Sequence, residues 1–379
     1  MRVAFVTNFC PHYRVRTFEL LADPYSVDYF FFSVGNEWYW QRNHGVSMGK
    51  FQCTYLPGFQ LSQRMRVVPS LPIKLWQGDY DVFVKCIDGR FALPATYLIA
   101  RALRKPFVLW TGIWMTLQTP FHRLAFPLTR WIYCHADAIV VYGEHVKNYL
   151  MGLNIAAEKI FVAAHAVDNS AYNQLVCEQE KAALRAKLGL GNSQVVLYLG
   201  RLEEIKGIDY LIRAFARLNH NNAVLVIAGD GSLREHLEAL AWELGIQERS
   251  RFVGYVSPES SQVYYAIADL FVLPSVTMPT GKELWGLVVN EAMNQGLPVV
   301  ATEAVGAAAG GLVQSGVNGF VVPERDSIAL AQAMERILSD VQLREEMSQN
   351  ARRIIAEWNN ERMVRGFQQA IEYASSKTE

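Results

Sequence analysis

The chain is poor in cysteine. Its five cysteines, Cys10, Cys53, Cys86, Cys134 and Cys177, form no C-x-x-C pair and show no metal-ligand spacing. This excludes a zinc-ribbon or thioredoxin-like site and leaves reduced thiols of the kind a cytosolic protein carries. An excess of one charge is also missing, since 36 Lys and Arg balance 36 Asp and Glu, and no nucleic-acid partner is expected. No apolar run approaches the ~20 residues that span a bilayer, so any membrane contact is peripheral. Met1–Asn8 reads as a first β-strand, because it lacks the apolar core and small-residue cleavage site of a signal peptide. Glycine is absent between Asn8 and Arg16. That removes the G-x-G-x-x-G fingerprint after an early strand and sets aside a dinucleotide-dependent dehydrogenase.

What remains is a globular composition, 51% hydrophobic and 19% charged over 379 residues, enough for two domains with ample cores. Zero net charge hides an asymmetry. Residues 1–168 hold 17 Lys and Arg against 11 Asp and Glu, and the remainder hold 19 against 25. A basic first half suits anionic lipid or an anionic acceptor as well as plain solubility. Strands are predicted at 2–7, 27–33, 82–87, 107–111, 138–142 and 159–164, alternating with helices at 14–22, 92–103, 119–135 and 144–151. A linker falls near 166–175, and a helix follows over 178–188. Further strands follow at 195–200, 223–228, 251–254, 270–273, 298–301 and 320–322. Such alternation predicts an α/β protein with parallel sheets. The domains are read as 1–168 and 169–357.

The most informative segment is Glu283-Leu284-Trp285-Gly286-Leu287-Val288-Val289-Asn290-Glu291. Two carboxylates stand eight positions apart across a loop that opens a helix at Gly286-Leu287. A helix start offers unpaired N–H groups and positive potential to a diphosphate. Glu291, one to two turns inside, is a pure acceptor pair for two ribose hydroxyls when ionised. Upstream, the strand Val195–Leu199 ends in Gly200-Arg201, with Lys206-Gly207 five residues on. A guanidinium fork and an ammonium point charge suit two neighbouring phosphates. Gly229-Asp230-Gly231, Phe252-Val253-Gly254 and Pro274-Ser275 close further strands, each at the carboxyl edge where parallel sheets bind ligands.

In this ordered set the chain resembles retaining glycosyltransferases of family 4. Gly296-Leu297-Pro298-Val299-Val300-Ala301-Thr302 and Gly316–Pro323 complete the likeness, which covers most of residues 190–340. The resemblance implies the GT-B architecture: two Rossmann-like domains facing a central cleft, with a final helix, about 358–379, crossing back to the first domain. It implies a nucleoside-diphosphate sugar as donor, bound by the second domain. Arg201 and Lys206 would neutralise the leaving diphosphate, aided by Gly286, Leu287 and Val288. Glu283 would hold sugar hydroxyls and Glu291 the ribose. Gly200, Gly229 and Asp230 would line the donor site, and Val253, Tyr255 and Val256 the base. No cofactor and no metal ion is expected. A glycan or lipid-linked acceptor would meet the first domain.

Two departures stand out. The paired-glycine loop that many members carry after the first strand is replaced by Asn8-Phe9-Cys10-Pro11-His12-Tyr13-Arg14, so His12 and Arg14 become candidates on the acceptor side. A mid-domain histidine is replaced by Thr111-Gly112-Ile113-Trp114, leaving Thr111 and Gly112 to meet a sugar hydroxyl. Asp88-Gly89-Arg90 ends another strand, where Asp88 suits an acceptor hydroxyl and Arg90 an anion, or a plain turn forms. Trp38-Tyr39-Trp40 suits a sugar platform or core packing. Gln63–Pro69 is basic and apolar, as lipid-facing or solvated loops are. A degenerate sugar-nucleotide binder would have lost part of the Arg–Lys–Glu–Glu set, and a GT-B epimerase would need further acids and bases.

Overall fold

A computed structural model describes residues 1–33, 49–62, 65–220 and 222–377. Trp38-Tyr39-Trp40, Gln63 and Arg64 lie outside the described residues. Two compact units emerge: Met1–Gly112 with Thr119–Ala166 and Asn360–Glu379, and Ile113–Gln118 with Val167–Asn359.

The first unit is built on β1 (Arg2–Thr7), β2 (Ser26–Phe31), β3 (Cys53–Tyr55), β6 (Val82–Cys86), β7 (Phe107–Thr111), β8 (Ala138–Val141) and β9 (Ile160–Val162). All pairings are parallel, in the order β3-β2-β1-β6-β7-β8-β9. Strands β6, β7 and β8 are buried at every position, which is why the sequence shows nearly continuous apolar runs there, interrupted by Lys85 in β6, rather than alternation. Between β3 and β6 lie an antiparallel hairpin, β4 (Phe59–Ser62) with β5 (Met65–Val67), and a helix, Ser70–Gln77. The sequence predicts none of these. Gln63–Pro69 reads as a loop, whereas Pro69 and Pro72 occupy the N-cap and first turn of the helix, where a proline forfeits no helical hydrogen bond.

The last helix, Asn360–Ser376, belongs to this first unit, as the resemblance implies. It buries Met363, Val364, Phe367, Ile371 and Ala374, and the Phe367 ring lies 5.7 Å from Phe5 and 5.3 Å from Trp110. Thr17 anchors its start by donating to Asn360 Oδ1 at 2.8 Å.

The second unit has β10 (Gln194–Leu199), β11 (Ala223–Ala228), β12 (Ser250–Gly254), β13 (Leu270–Leu273), β14 (Val299–Thr302) and β15 (Gly319–Val322). They form a parallel sheet in the order β12-β11-β10-β13-β14-β15. Strand order therefore reverses between β10 and β13. Ligands of open α/β sheets bind at the carboxyl ends of the strands flanking such a reversal.

Candidate active site

The loop leaving β10 folds over the loop leaving β13. It runs through a 3₁₀ turn, Glu204–Lys206, into Gly207 at φ 60°. A side chain at Gly207 would begin 2.2 Å from the Pro274 carbonyl oxygen, so only glycine allows this approach. Val276 N–H donates to the Ile205 carbonyl at 2.9 Å and ties the two loops. The result is to fix Lys206, which is buried, beside Ser275 and Glu283. Lys206 Nζ donates to Glu283 Oε2, and Ser275 Oγ donates to the same oxygen at 3.2 Å. Gly207→Ala is expected to displace Lys206 and cut turnover by more than tenfold. A variant with unchanged kcat/KM would show that the loop tolerates the side chain.

Glu283 is held from behind as well. Its carbonyl accepts from Gly306 N–H at 3.1 Å and from Trp114 Nε1 at 3.2 Å. Burial alone would raise its carboxyl pKa. The Lys206 ammonium and its hydrogen bond, with Arg201 and the Ser275 hydroxyl, outweigh that and hold it below the ordinary carboxylate value. Glu283 is thus a fixed anion, an acceptor of hydroxyl protons rather than an acid. Arg201 donates to Glu203 Oε1 at 2.6 Å with a third of its side chain exposed. The structure therefore brings Arg201, Lys206 and Glu283 together at the strand reversal.

Glu291 lies in the first turn of the Val288–Asn294 helix, which starts two residues later than the sequence suggests. Tyr265 donates to its Oε2 at 2.8 Å, and the Tyr172 hydroxyl bonds the same carboxyl. Burial outweighs both hydroxyls and lifts its pKa to about 7. The sequence treats this group as ionised. Burial instead makes it far readier to hold a proton at neutral pH than an ordinary carboxyl. Sequence reasoning misses Tyr172 and Tyr265, and it places Ser275 at a strand exit without giving it a role. Tyr172 ends a one-turn helix, Asn169–Tyr172, in the stretch read as linker. Between the two glutamates, the amides of Gly286, Leu287 and Val288 donate to no group among the described residues.

The other donor candidates also occupy carboxyl ends. A Cβ on Gly229 would meet the Gly200 carbonyl oxygen at 1.8 Å, so the exits of β10 and β11 touch backbone to backbone. Asp230 Oδ1 accepts from Gly231 N–H at 2.9 Å and shapes that turn. Val253 lies in β12, with exposed Tyr255 and half-buried Val256 just after it.

In the first unit His12 is exposed on a 3₁₀ turn. Arg14 donates to the Tyr142 hydroxyl at 3.4 Å and lies 4.5 Å over Trp110. The Asp88 carboxylate is exposed while its carbonyl accepts from buried Lys85 at 2.6 Å. Thr111 is buried with its hydroxyl 3.4 Å from that of Tyr133, facing the core rather than an open surface. Gly112 abuts the Tyr142 ring. Arg90, read as an anion site or turn, stacks over Phe121 at 3.3 Å.

Residues 180–354 match the family described as glycosyl transferases group 1, and residues 21–171 match glycosyltransferase family 4. An alpha-D-kanosaminyltransferase of Streptomyces kanamyceticus is 31% identical over 281 residues, 71% of this chain and 71% of that protein. A GDP-mannose-dependent alpha-(1-6)-phosphatidylinositol monomannoside mannosyltransferase of Mycolicibacterium smegmatis is 36% identical over 164 residues, 42% of each. Among solved structures, Anabaena HepE in complex with UDP aligns with TM-score 0.77 and 20% identity, covering 98% of this chain and 100% of that one. At that identity the likeness is one of fold. The two family matches follow one another along the chain, and the kanosaminyltransferase likeness spans more than two thirds of it. With the basic pair and the glutamates standing at the strand reversal, the chain belongs to the family 4 glycosyltransferases of GT-B fold.

Proposed function

We propose that the protein transfers a hexose from a UDP-hexose, UDP-glucose or a close relative, to a hydroxyl of a glycan or lipid-linked acceptor, with retention of anomeric configuration. The observation that carries this is the Lys206–Glu283–Ser275 cluster at the β10/β13 reversal. Lys206 and Arg201 supply two positive charges where a leaving diphosphate gathers negative charge, and such stabilisation is usually the largest catalytic term. The amides of Gly286–Val288 add donors to the same group. Two side-chain cations make the step independent of a metal ion. Glu283, held ionised by Lys206, accepts hydrogen bonds from sugar hydroxyls, and that pairing makes it a poor nucleophile and no acid. The acceptor oxygen then bonds to the anomeric carbon on the face from which the diphosphate leaves. Its proton passes to the departing phosphate oxygen. Glu291 receives ribose hydroxyls, and Val253–Val256 flank the base. The first domain takes the acceptor, with His12, Arg14, Asp88 and Gly112 as its candidates. Its basic balance supports peripheral contact with the inner face of the membrane.

The uridine assignment draws support from HepE, whose structures hold UDP and UDP-glucose. It is tested by thermal stabilisation with UDP, GDP, ADP and their sugar conjugates, with and without EDTA. A ligand that binds only the folded state at a hundred times its Kd adds ~2.7 kcal/mol. A shift with UDP that EDTA leaves intact is the expected outcome. A shift with GDP alone would reassign the base. No shift with any nucleotide would favour a degenerate binder.

A further inference from the structure

We propose that Trp114, with Lys282 seated on its ring, is a positioning residue for Glu283, so that recognition of the donor sugar, and not of the nucleotide, depends on the segment Ile113–Gln118. This rests on the reading of Glu283 as the sugar-binding carboxylate and names the group that aims it.

Glu283 keeps one carboxylate oxygen for a ligand. Lys206 and Ser275 both donate to Oε2, and Oε1 meets no donor among the described residues. With Oε2 pinned, the direction of Oε1 follows from where the backbone of residue 283 stands. That backbone lies in a long loop between β13, which ends at Leu273, and the helix that starts at Val288. The loop is fixed near its start, where Thr277 Oγ1 donates to Glu324 Oε1 at 2.5 Å. It then makes a tight turn, in which Met278 and Gly281 exchange backbone hydrogen bonds of 2.9 and 3.0 Å.

Past that turn the support comes from Ile113–Gln118, the one stretch before residue 167 that belongs to the second unit. Gln118 N–H donates to the Pro279 carbonyl at 2.8 Å. A Cβ on Gly281 would lie 3.8 Å from the Leu117 side chain, so the segment runs along the turn in contact with it. At the end that matters, Trp114 Nε1 donates to the Glu283 carbonyl at 3.2 Å. Lys282 Nζ lies 4.3 Å from the centre of the Trp114 ring. A cation on the face of an indole is attracted to its π electrons, and polarisation along such a chain strengthens the N–H as a donor. Lys282, Trp114 and the Glu283 carbonyl thus form one polarised series, with the Glu283 carboxylate just beyond it. Gly306 N–H shares the same carbonyl at 3.1 Å, so loss of the indole N–H loosens the residue without unfolding the loop.

The test is calorimetric titration of the full chain with UDP and with UDP-glucose, or with GDP and GDP-mannose where the thermal screen selects GDP. Trp114→Phe keeps a ring for Lys282 and removes the N–H. It should bind the free nucleotide within about twofold of the wild type and the sugar conjugate about fivefold more weakly, the scale of one hydrogen bond. Lys282→Met should show the same selectivity to a smaller extent. Glu283→Gln should also weaken the sugar conjugate, and adding Trp114→Phe to it should cost nothing further, because no carboxylate is left to aim. Equal weakening of nucleotide and sugar conjugate by Trp114→Phe would make Trp114 a plain fold contact and overturn the proposal, as would additive losses in the double variant. An impaired Glu283→Gln beside an unimpaired Trp114→Phe would overturn it and leave the sugar role of Glu283 standing. Unchanged binding of the sugar conjugate by Glu283→Gln would overturn that sugar role, and its positioning by Trp114 with it.

Discussion

Lys206→Ala is expected to lower kcat/KM by about a hundred- to a thousandfold, the scale on which a preorganised charge at a reacting centre acts. The substitution has a second effect that separates chemistry from folding. The Lys206 and Glu283 side chains retain only 11% and 16% exposure. Removing the ammonium leaves a carboxylate that burial now pushes towards protonation, and a broken pair of this kind costs about 3 kcal/mol or less at such partial exposure. In the wild type the Glu283 pKa is depressed, so the pair stabilises the fold above the ordinary value of 4.5 and loses that contribution as pH falls. In Lys206→Ala the dependence reverses, and mild acid restores stability. Adding Glu283→Gln to Lys206→Ala should recover the melting temperature at neutral pH without recovering turnover. Near-normal turnover in the single variant would refute the phosphate role of Lys206.

Glu291→Gln should weaken nucleotide binding and, in the absence of ligand, stabilise the protein. The folded carboxyl titrates at about 7 against an ordinary 4.5. Ionising it in place therefore costs the fold up to about 3 kcal/mol by pH 8. This cost is absent below pH 4.5 and grows as pH rises to 7. Glutamine cannot ionise, so the variant should melt higher than the wild type at pH 8, with the gain shrinking towards pH 5. Nucleotide affinity should show the opposite trend. In the wild type it should improve as pH rises through 7, because the carboxylate accepts both ribose hydroxyls, and in the variant it should be flat and weaker. Identical, pH-independent affinities for the two proteins would remove Glu291 from the ribose site.

The parts of this site that the sequence reveals are those set by local order. Val195–Leu199 reads as a buried parallel strand because it is apolar without a break, and Gly200-Arg201 reads as its exit because glycine ends it. Glu283 and Glu291 stand out because a glycine step and a helix start lie between them. What stays hidden depends on contacts distant along the chain. Nothing around Tyr172 marks it as a partner of Glu291, which lies 119 residues away in the sequence. The protonation of Glu291 is hidden for the same reason, since burial is decided by the whole fold. Thr111 is a reminder that a strand's final residue can point either way. A pleat of period two sends neighbours to opposite faces, and Thr111 turned towards Tyr133. The hairpin and the Ser70–Gln77 helix escaped because they are short and prolines lie at or near their starts.

The final helix sets an order of events for the growing chain. Strands β1 to β9 emerge first, yet Phe5 and Trp110 keep an unfilled neighbour until Phe367 arrives. Domains usually fold as they leave the ribosome, the N-terminal one first. Here the second unit, which draws only the short segment Ile113–Gln118 from upstream, has all its own residues at hand before the first unit does. The unit made first is thus completed last, and its apolar seat for the helix stays open to solvent or to a chaperone for as long as the other unit takes to be synthesised.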